Sequence, residues 1–397
     1  MKATILNIGD EVVSGKVVNT NASFISNELE KVGIIVDRIV SIRDIPLDIE
    51  NETKAFLNSE AKILITTGGL GPTHDDITKE VIASTLGLKL EFNALASRSE
   101  YNYEDGAKND CNAKQAFIPE NSKIITNELG TADGVFIEFD NRVIILLVGP
   151  PYENEPMLRK VLPDLKRFGE KVLLTDFTLM GQTEAYFENM LQPLLSQNVS
   201  IAPYASNGKV RFRVCTNSSF DEYYQVLEKF RVLFKEYIIS ENDEDINEVL
   251  VNVLKANNLT ISFGESMTGG YLSKLITDIS GASLVFQFSV VTYHNEVKTN
   301  ILGVNKELIE KYGVVSEEVT EAMAKGLKKL SHADINVTVS GDAGPTGNVG
   351  KVCYTIKYNN QTINKTKQFK GSRDMIRIRA RRRIFYDVLC LIRKMEK

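Results

Sequence analysis

The chain has 397 residues, of which 43% are hydrophobic and 25% charged, with a formal net charge of −5. That length suggests two or three domains with real cores, and the charge excludes a molecule that is basic overall and traps nucleic acid. The longest fully apolar run, 143–148, is far short of the ~20 residues that span a bilayer.

The start, "MKATILNIGDE", is too briefly apolar and too soon acidic for a signal peptide. Cys111, Cys215, Cys353 and Cys390 are scattered without metal-ligand spacing, and the three histidines are isolated. The expectation is a cytoplasmic protein with no membrane segment.

In chain order, "ATILNIG" reads as a buried strand. "NASFISNELEKVG" reads as a helix with Ile25, Leu29 and Val32 at helical spacing, stopping at Gly33. "IIVDRIVSI" and "KILITT" are further strands, and "DIENETKAFLNSE" and "DDITKEVIASTLG" further helices, the last capped by its acids and ended by Gly87. "GVFIEFDNRVIILLVGPP" reads as a hairpin turning near Asp140 and Asn141. Strands separated by helices imply parallel βαβ units covered on both faces.

The second segment, from about Glu170 to Ser240, gives a small α+β pattern and ends in the acidic linker "SENDEDINE". The third, from Glu244, again alternates: strand "LTISF", a helix opening at Ser266, strand "LVFQFSVVT", helices, strand "INVTVSG", a hairpin through Asn359 and Asn360, and a basic last helix.

Two places carry chemistry. "TTGGLGPTHDD" joins a buried strand to a helix, where glycines let backbone approach a phosphate. Asp75 and Asp76 would repel that phosphate unless a hard cation lay between them. The bland alternative is a turn whose acids cap the next helix.

In the third segment, Ser266 precedes Gly269 and Gly270, and "VVTYHNEVK" places Tyr293 at a strand end and Lys298 in a helix's first turn. Serine needs a base, and no histidine offers one. A lysine can serve if burial and the helix dipole make it neutral. Lowering its pKa from about 10.4 to near 7 costs roughly 4–5 kcal/mol. Each residue has an ordinary reading too: a helix cap, a packed tyrosine, a surface lysine.

The ordered motifs "GDEVVSGKVVNTN", "TTGGLGPTHDDITKE", "KQAFIPE", "GTADG" and "LLVGPPYENEPM" resemble the N-terminal half of the CinA family, whose fold is similar to MoaB and MogA. The resemblance implies metal-dependent cleavage of ADP-ribose to AMP and ribose 5-phosphate. It implies Gly68, Gly69, Gly71 and Thr73 around phosphate, with Asn21 and Lys114 at the ligand. It also implies Asp75, Asp76, Asp10 and Glu11 as groups for a divalent metal (Mg, Mn or Co). Asp133 and Val148 each stand where the family usually has proline.

"GESMTGG", "VVTYHNEVK", "YGVVSEEVTEAMAKG", "SGDAGPTGNVGKV" and "GSRDMIRIRA" resemble the CinA C-terminal domain and the stand-alone nicotinamide mononucleotide deamidase. That implies hydrolysis of nicotinamide mononucleotide to nicotinate mononucleotide and ammonia without a cofactor. Ser266 would be nucleophile, Lys298 base and Tyr293 helper. Thr268, Gly269, Gly270, Gly341, Ala343, Gly344, Arg373 and Arg377 would surround the substrate. Met267 and Asp342 depart from the family pattern.

The fold expected is α/β: a MoaB/MogA-like three-layer domain over 1–169, a small α+β KH-like domain over 170–240 and a three-layer α/β domain over 244–397. The family suggests a homodimer. In "RDMIRIRARRRIF" and the residues after it, Ile376, Ala380, Ile384 and Val388 recur at helical spacing. The basic face is therefore read as solvated, or as facing a mononucleotide phosphate or a second subunit, rather than as a nucleic-acid surface. The competing class is a degenerate competence- or damage-inducible binding or regulatory protein.

Overall fold

In a computed structural model describing residues 1–96, 110–206, 209–242 and 244–395, the chain divides into two compact units, Met1–Leu173 and Leu174–Lys397. The side chains of residues 110–112, Cys111 among them, and Asp243 of the acidic linker lie outside the described parts.

The first unit begins with β1 (Lys2–Ile8), α1 (Asp10–Val13), α2 (Thr20–Lys31), β2 (Ile35–Ile42), α3 (Pro46–Leu57), β3 (Ile63–Thr67) and α4 (Thr78–Leu86). After the short β4 (Leu90–Phe92) and β5 (Phe117–Pro119) come β6 (Lys123–Ile125), β7 (Gly134–Phe139), β8 (Arg142–Leu147) and α5 (Pro151–Leu165). Its sheet runs β2-β1-β3-β8-β7-β6, with the first four strands parallel and β7 antiparallel to both of its neighbours, β8 and β6. Every residue of β3 is buried, which demands cover on both faces; α2 packs with α5, and α3 with α4. The β7–β8 turn falls at Asp140 and Asn141, both with positive φ, as a two-residue hairpin requires.

In the second unit, β9 (Leu173–Leu179), α6 (Glu184–Leu191), β10 (Ser200–Ser206), β11 (Lys209–Thr216), α7 (Phe220–Phe234) and β12 (Ile238–Ser240) form the α+β part, its sheet ordered β10-β11-β9-β12. Its core is aromatic: Phe177 stacks on Phe230 at 4.4 Å, and Phe187 and Phe212 pack around Phe234.

Next come α8 (Ile246–Ala256), β13 (Ile261–Glu265), α9 (Tyr271–Thr277), β14 (Phe286–Val291), α10 (Asn295–Leu302), α11 (Lys306–Tyr312), α12 (Glu317–Ser331), β15 (Ile335–Gly341), β16 (Lys351–Tyr358), β17 (Gln361–Gln368) and α13 (Arg373–Met395). The sheet order is β14-β13-β15-β16-β17, parallel across the first three strands and antiparallel thereafter. Ile376, Ala380, Ile384 and Val388 of α13 are all fully buried. Among the described residues, no helix is long and apolar enough to cross a membrane.

Two local expectations are corrected. Ser266 does not open a helix: α9 starts only at Tyr271, after Gly270. Likewise α4 starts at Thr78 with Ile77 in the cap position and no side-chain cap. Asp75 and Asp76 are used in the preceding turn instead.

Candidate active site

β13 and β15 are parallel neighbours, so the segments leaving their carboxyl ends meet above the sheet. Ser266 leaves β13 there, its amide donating to Val339 of β15 at 3.0 Å. Lys298 arrives from α10 and is completely buried. Its Nζ lies 3.2 Å from Ser266 Oγ, 2.6 Å from the Thr292 carbonyl oxygen and 3.5 Å from that of Tyr293. Burial pushes the amine down to about 8, because the interior solvates an ammonium poorly.

A cavity of about 390 Å³ opens on this pair. Ser266, Tyr293, Lys298, Gly341, Ala343, Gly344 and Arg373 of the expected set line it, joined by Met267, Asn295, Ser340 and Asp342. Tyr293 is 63% exposed, and its hydroxyl accepts from Arg373 Nη2 at 3.1 Å. Arg373 Nη1 donates to the Gly344 carbonyl at 2.9 Å. Tyr293 and Arg373 thus brace one wall together.

Thr268, Gly269, Gly270 and Arg377 sit behind the cavity rather than on its surface. Thr268 is fully buried, and its carbonyl accepts from Arg377 Nη2 at 2.5 Å. Gly269 closes a turn onto the Ser266 carbonyl at 3.1 Å. Met267 packs against Gly341: a Cβ there would stand 2.4 Å from Met267 Sδ. Asp342 Oδ1 accepts from the Gly344 amide at 2.9 Å, which shapes the loop.

One residue absent from the expected set stands out. Glu265 is fully buried directly before Ser266. Its carboxylate accepts from the Leu272 amide at 3.0 Å, the Ser273 amide at 2.9 Å and Ser273 Oγ at 2.5 Å. It therefore caps α9, the role that sequence reading gave to Ser266. The available signal was the pair Gly269 and Gly270: glycine has no side chain to cap the helix that follows, which leaves its first amides open to an acceptor from upstream.

In the first unit, a cavity of about 340 Å³ is lined by Gly68, Gly69, Gly71, Asp75, Asp76 and Glu11, with Asp44, Val148 and Glu153. A Cβ on Gly68 would meet the Ile8 carbonyl oxygen at 2.1 Å, so only glycine lets these chains approach. The Thr73 hydroxyl stands within hydrogen-bond reach of the carboxylates of both Asp75 and Asp76, and the Thr73 amide donates to Asp76 Oδ2 at 2.9 Å. Lys114 Nζ donates to the carbonyls of Thr73 and Asp76. Asn21 Nδ2 donates to the Gly149 carbonyl at 2.7 Å. Thr73, Lys114 and Asn21 thus hold the cavity's loops from behind. Asp10 stands beside it, its amide donating to Asp44 Oδ2 at 3.0 Å. Asp133 accepts from the Asn127 amide at 2.7 Å.

These oxygens suit a hard cation. Burial, with Glu11, Asp10 and Asp75 nearby, holds the Asp44 carboxyl above its usual range, against the opposing pull of the Asp10 amide. Among the described residues, no three such groups converge as a ready metal cage. A cation here would take one or two carboxylates from the protein and its other oxygens from a ligand's phosphates and water, as Mg²⁺ commonly does.

Comparison with known proteins accords with this two-unit layout. Residues 243–393 match the CinA C-terminal domain, and residues 4–167 the "Probable molybdopterin binding domain". A relative in Thermoanaerobacter pseudethanolicus that carries the name of a competence-damage inducible protein is 39% identical over 398 residues, covering 96% of this chain and 95% of its own. A CinA-like protein of Kosmotoga olearia is 36% identical, with 96% of each chain covered. A solved CinA structure from Thermoplasma acidophilum aligns with 41% of this chain and 97% of its own, at 32% identity and a TM-score of 0.39. The chain belongs to the CinA family and carries a MoaB/MogA-like first domain.

Proposed function

We propose that the second unit hydrolyses the carboxamide of nicotinamide mononucleotide, giving nicotinate mononucleotide and ammonia. The observation that carries this reading is the buried Lys298 amine, 3.2 Å from Ser266 Oγ and pushed down to about 8. An amine so poised is neutral in a useful fraction of molecules near neutral pH. Neutral Lys298 takes the Ser266 proton as Oγ attacks the amide carbon. The carbonyl oxygen becomes an oxyanion, for which the amide of Met267, the cavity-lining residue directly after the nucleophile, is the candidate donor. Collapse breaks the C–N bond, and Lys298 returns the proton to the departing ammonia. Water, deprotonated by Lys298, then cleaves the acyl-serine ester and regenerates both groups.

Two charges on the cavity wall support this substrate. Nicotinamide mononucleotide carries a pyridinium cation and a phosphate, and Asp342 and Arg373 present the opposite sign to each. The expected result is ammonia release from this nucleotide by the full chain, read by a coupled ammonia assay. No release at micromolar enzyme would overturn the reading in favour of a binding or regulatory role.

A second reading applies to the first unit. The glycine-lined, acid-lined cavity supports divalent-metal-dependent cleavage of the ADP-ribose diphosphate. Asp75, Asp76, Asp10 and Glu11 are the candidate carboxylates, of which one or two would hold the metal, which when bound neutralises the diphosphate and activates water. The glycine loop would seat the phosphates. Cleavage should cease in excess chelator and fall at least about 100-fold in Asp75→Asn, on the scale of losing one electrostatic contact to the transition state. Full turnover in chelator would refute the metal's part.

A further inference from the structure

We propose that Glu265 is a positioning residue for the Ser266 nucleophile, a role that rests on the serine–lysine reading above. Residues 266–270 form an elbow containing two adjacent glycines with positive φ, Gly269 and Gly270. Such a segment has many alternative conformations unless its ends are tied. Glu265 ties both. Its backbone leads into the elbow, and its carboxylate grips two amides just beyond it, at Leu272 and Ser273. Ser273 Oγ extends the tie to Ser289 Oγ on β14 at 2.6 Å.

The same residue fixes the base. The Glu265 carbonyl accepts from the Thr292 amide at 2.7 Å, and the Thr292 carbonyl accepts from Lys298 Nζ at 2.6 Å. Three hydrogen bonds, joined by main chain, therefore run in a closed circuit from Ser266 through Lys298, Thr292 and Glu265, which is bonded covalently to Ser266. The main chain of Glu265 holds the base's side of this circuit, and its side chain holds the nucleophile's side. A carboxylate suits the task because all three side-chain partners are donors, and an ionised acid is acceptor only. Glutamine must turn its NH₂ toward one of the two amides, so one donor loses its acceptor in a fully buried place.

The test uses the full chain and two readouts. One is ammonia release from nicotinamide mononucleotide, resolved into kcat and KM. The other is the labelling rate of Ser266 by phenylmethanesulfonyl fluoride, followed by intact mass. In that reaction Oγ bonds to sulfur, the S–F bond breaks, fluoride leaves and Lys298 takes the serine proton. For folded Glu265→Gln, kcat and labelling should both fall about 100-fold, the scale of an ångström misplacement, with KM within about threefold. Glu265→Asp, which keeps the charge on a shorter arm, should recover part of the labelling rate.

A folded Glu265→Gln that is merely less stable, with kcat and labelling at wild-type rates, would overturn the proposal. Should Glu265→Gln fail to fold, Ser273→Ala removes one donor while keeping both amides. Labelling should then slow about threefold to tenfold, on the scale of one hydrogen bond, and an unchanged rate would again overturn it. If wild type is labelled yet releases no ammonia, the substrate reading fails, while the labelling ratio still decides the positioning role.

Discussion

Ser266→Ala should abolish ammonia release from nicotinamide mononucleotide, lowering kcat by at least about 10³-fold, while leaving the nucleotide's binding constant within a few-fold. The expectation follows from the Ser266 hydroxyl facing Lys298 Nζ at 3.2 Å. No other hydroxyl is bonded to that amine among the described residues. Deleting a nucleophile removes the covalent route, and what remains is binding and oxyanion stabilisation. The substitution deletes a single oxygen, so the fold should be unaffected; Ser266 does not cap α9. Calorimetric titration of the variant with substrate separates binding from chemistry. Residual turnover near the wild-type rate would show that another group attacks, and the mechanism would be wrong even with the reaction right.

Lys298→Met should remove activity and at the same time change how stability depends on pH. Losing a general base costs about 10²–10⁴-fold in rate. The stability effect has a definite sign. The folded-state amine lies near 8 against an ordinary 10.5. Below pH 8 both folded and unfolded chains bind the proton, and the folded state bears the full cost of a buried ammonium. Between about pH 8 and 10.5 the unfolded chain holds more protons, so stability contributed by this group rises with pH. Above 10.5 the cost is gone. That cost is roughly 3 kcal/mol on the scale of 1.36 kcal/mol per pKa unit.

Methionine avoids this cost but leaves the Thr292 carbonyl without its amine, a loss of about 1–2 kcal/mol. The variant should therefore melt higher than wild type at pH 7 and lower near pH 10.5. Lys79, also held near 8 by burial, is present in both proteins and cancels from the difference. Melting temperatures of the pair across pH 6–10.5 check the crossing. A constant offset would mean that Lys298 titrates normally.

Much of this could be read along the chain because the relevant physics is local. Alternation of apolar runs with helical spacing marked the strands and helices of both α/β parts. Asp140 and Asn141 marked a hairpin because these residues tolerate positive φ, and both have it. The motif around Tyr293 placed Lys298 in the first turn of a helix, and α10 begins at Asn295 with His294 at its cap position. The failures were also local in origin. A serine before a glycine pair looks like a cap by composition, but the turn at Gly269 and Gly270 consumes the intervening residues before a helix can begin. Asp75 and Asp76 look like caps of α4, but Thr73 and the cavity claim them.

The sequence by itself determined the residue types available for chemistry, their order, the alternating architecture and the family. It could not determine that an amine 32 positions downstream of a serine would end 3.2 Å from it, or that this amine would be wholly buried. Both depend on β13 lying between β14 and β15, a pairing of segments distant in the chain. Nor could it show that Glu265, an acid beside a nucleophile, is consumed by three donors beyond the elbow. Burial and mutual distance arise from tertiary packing, and those two quantities turn an ordinary lysine and serine into a tuned pair.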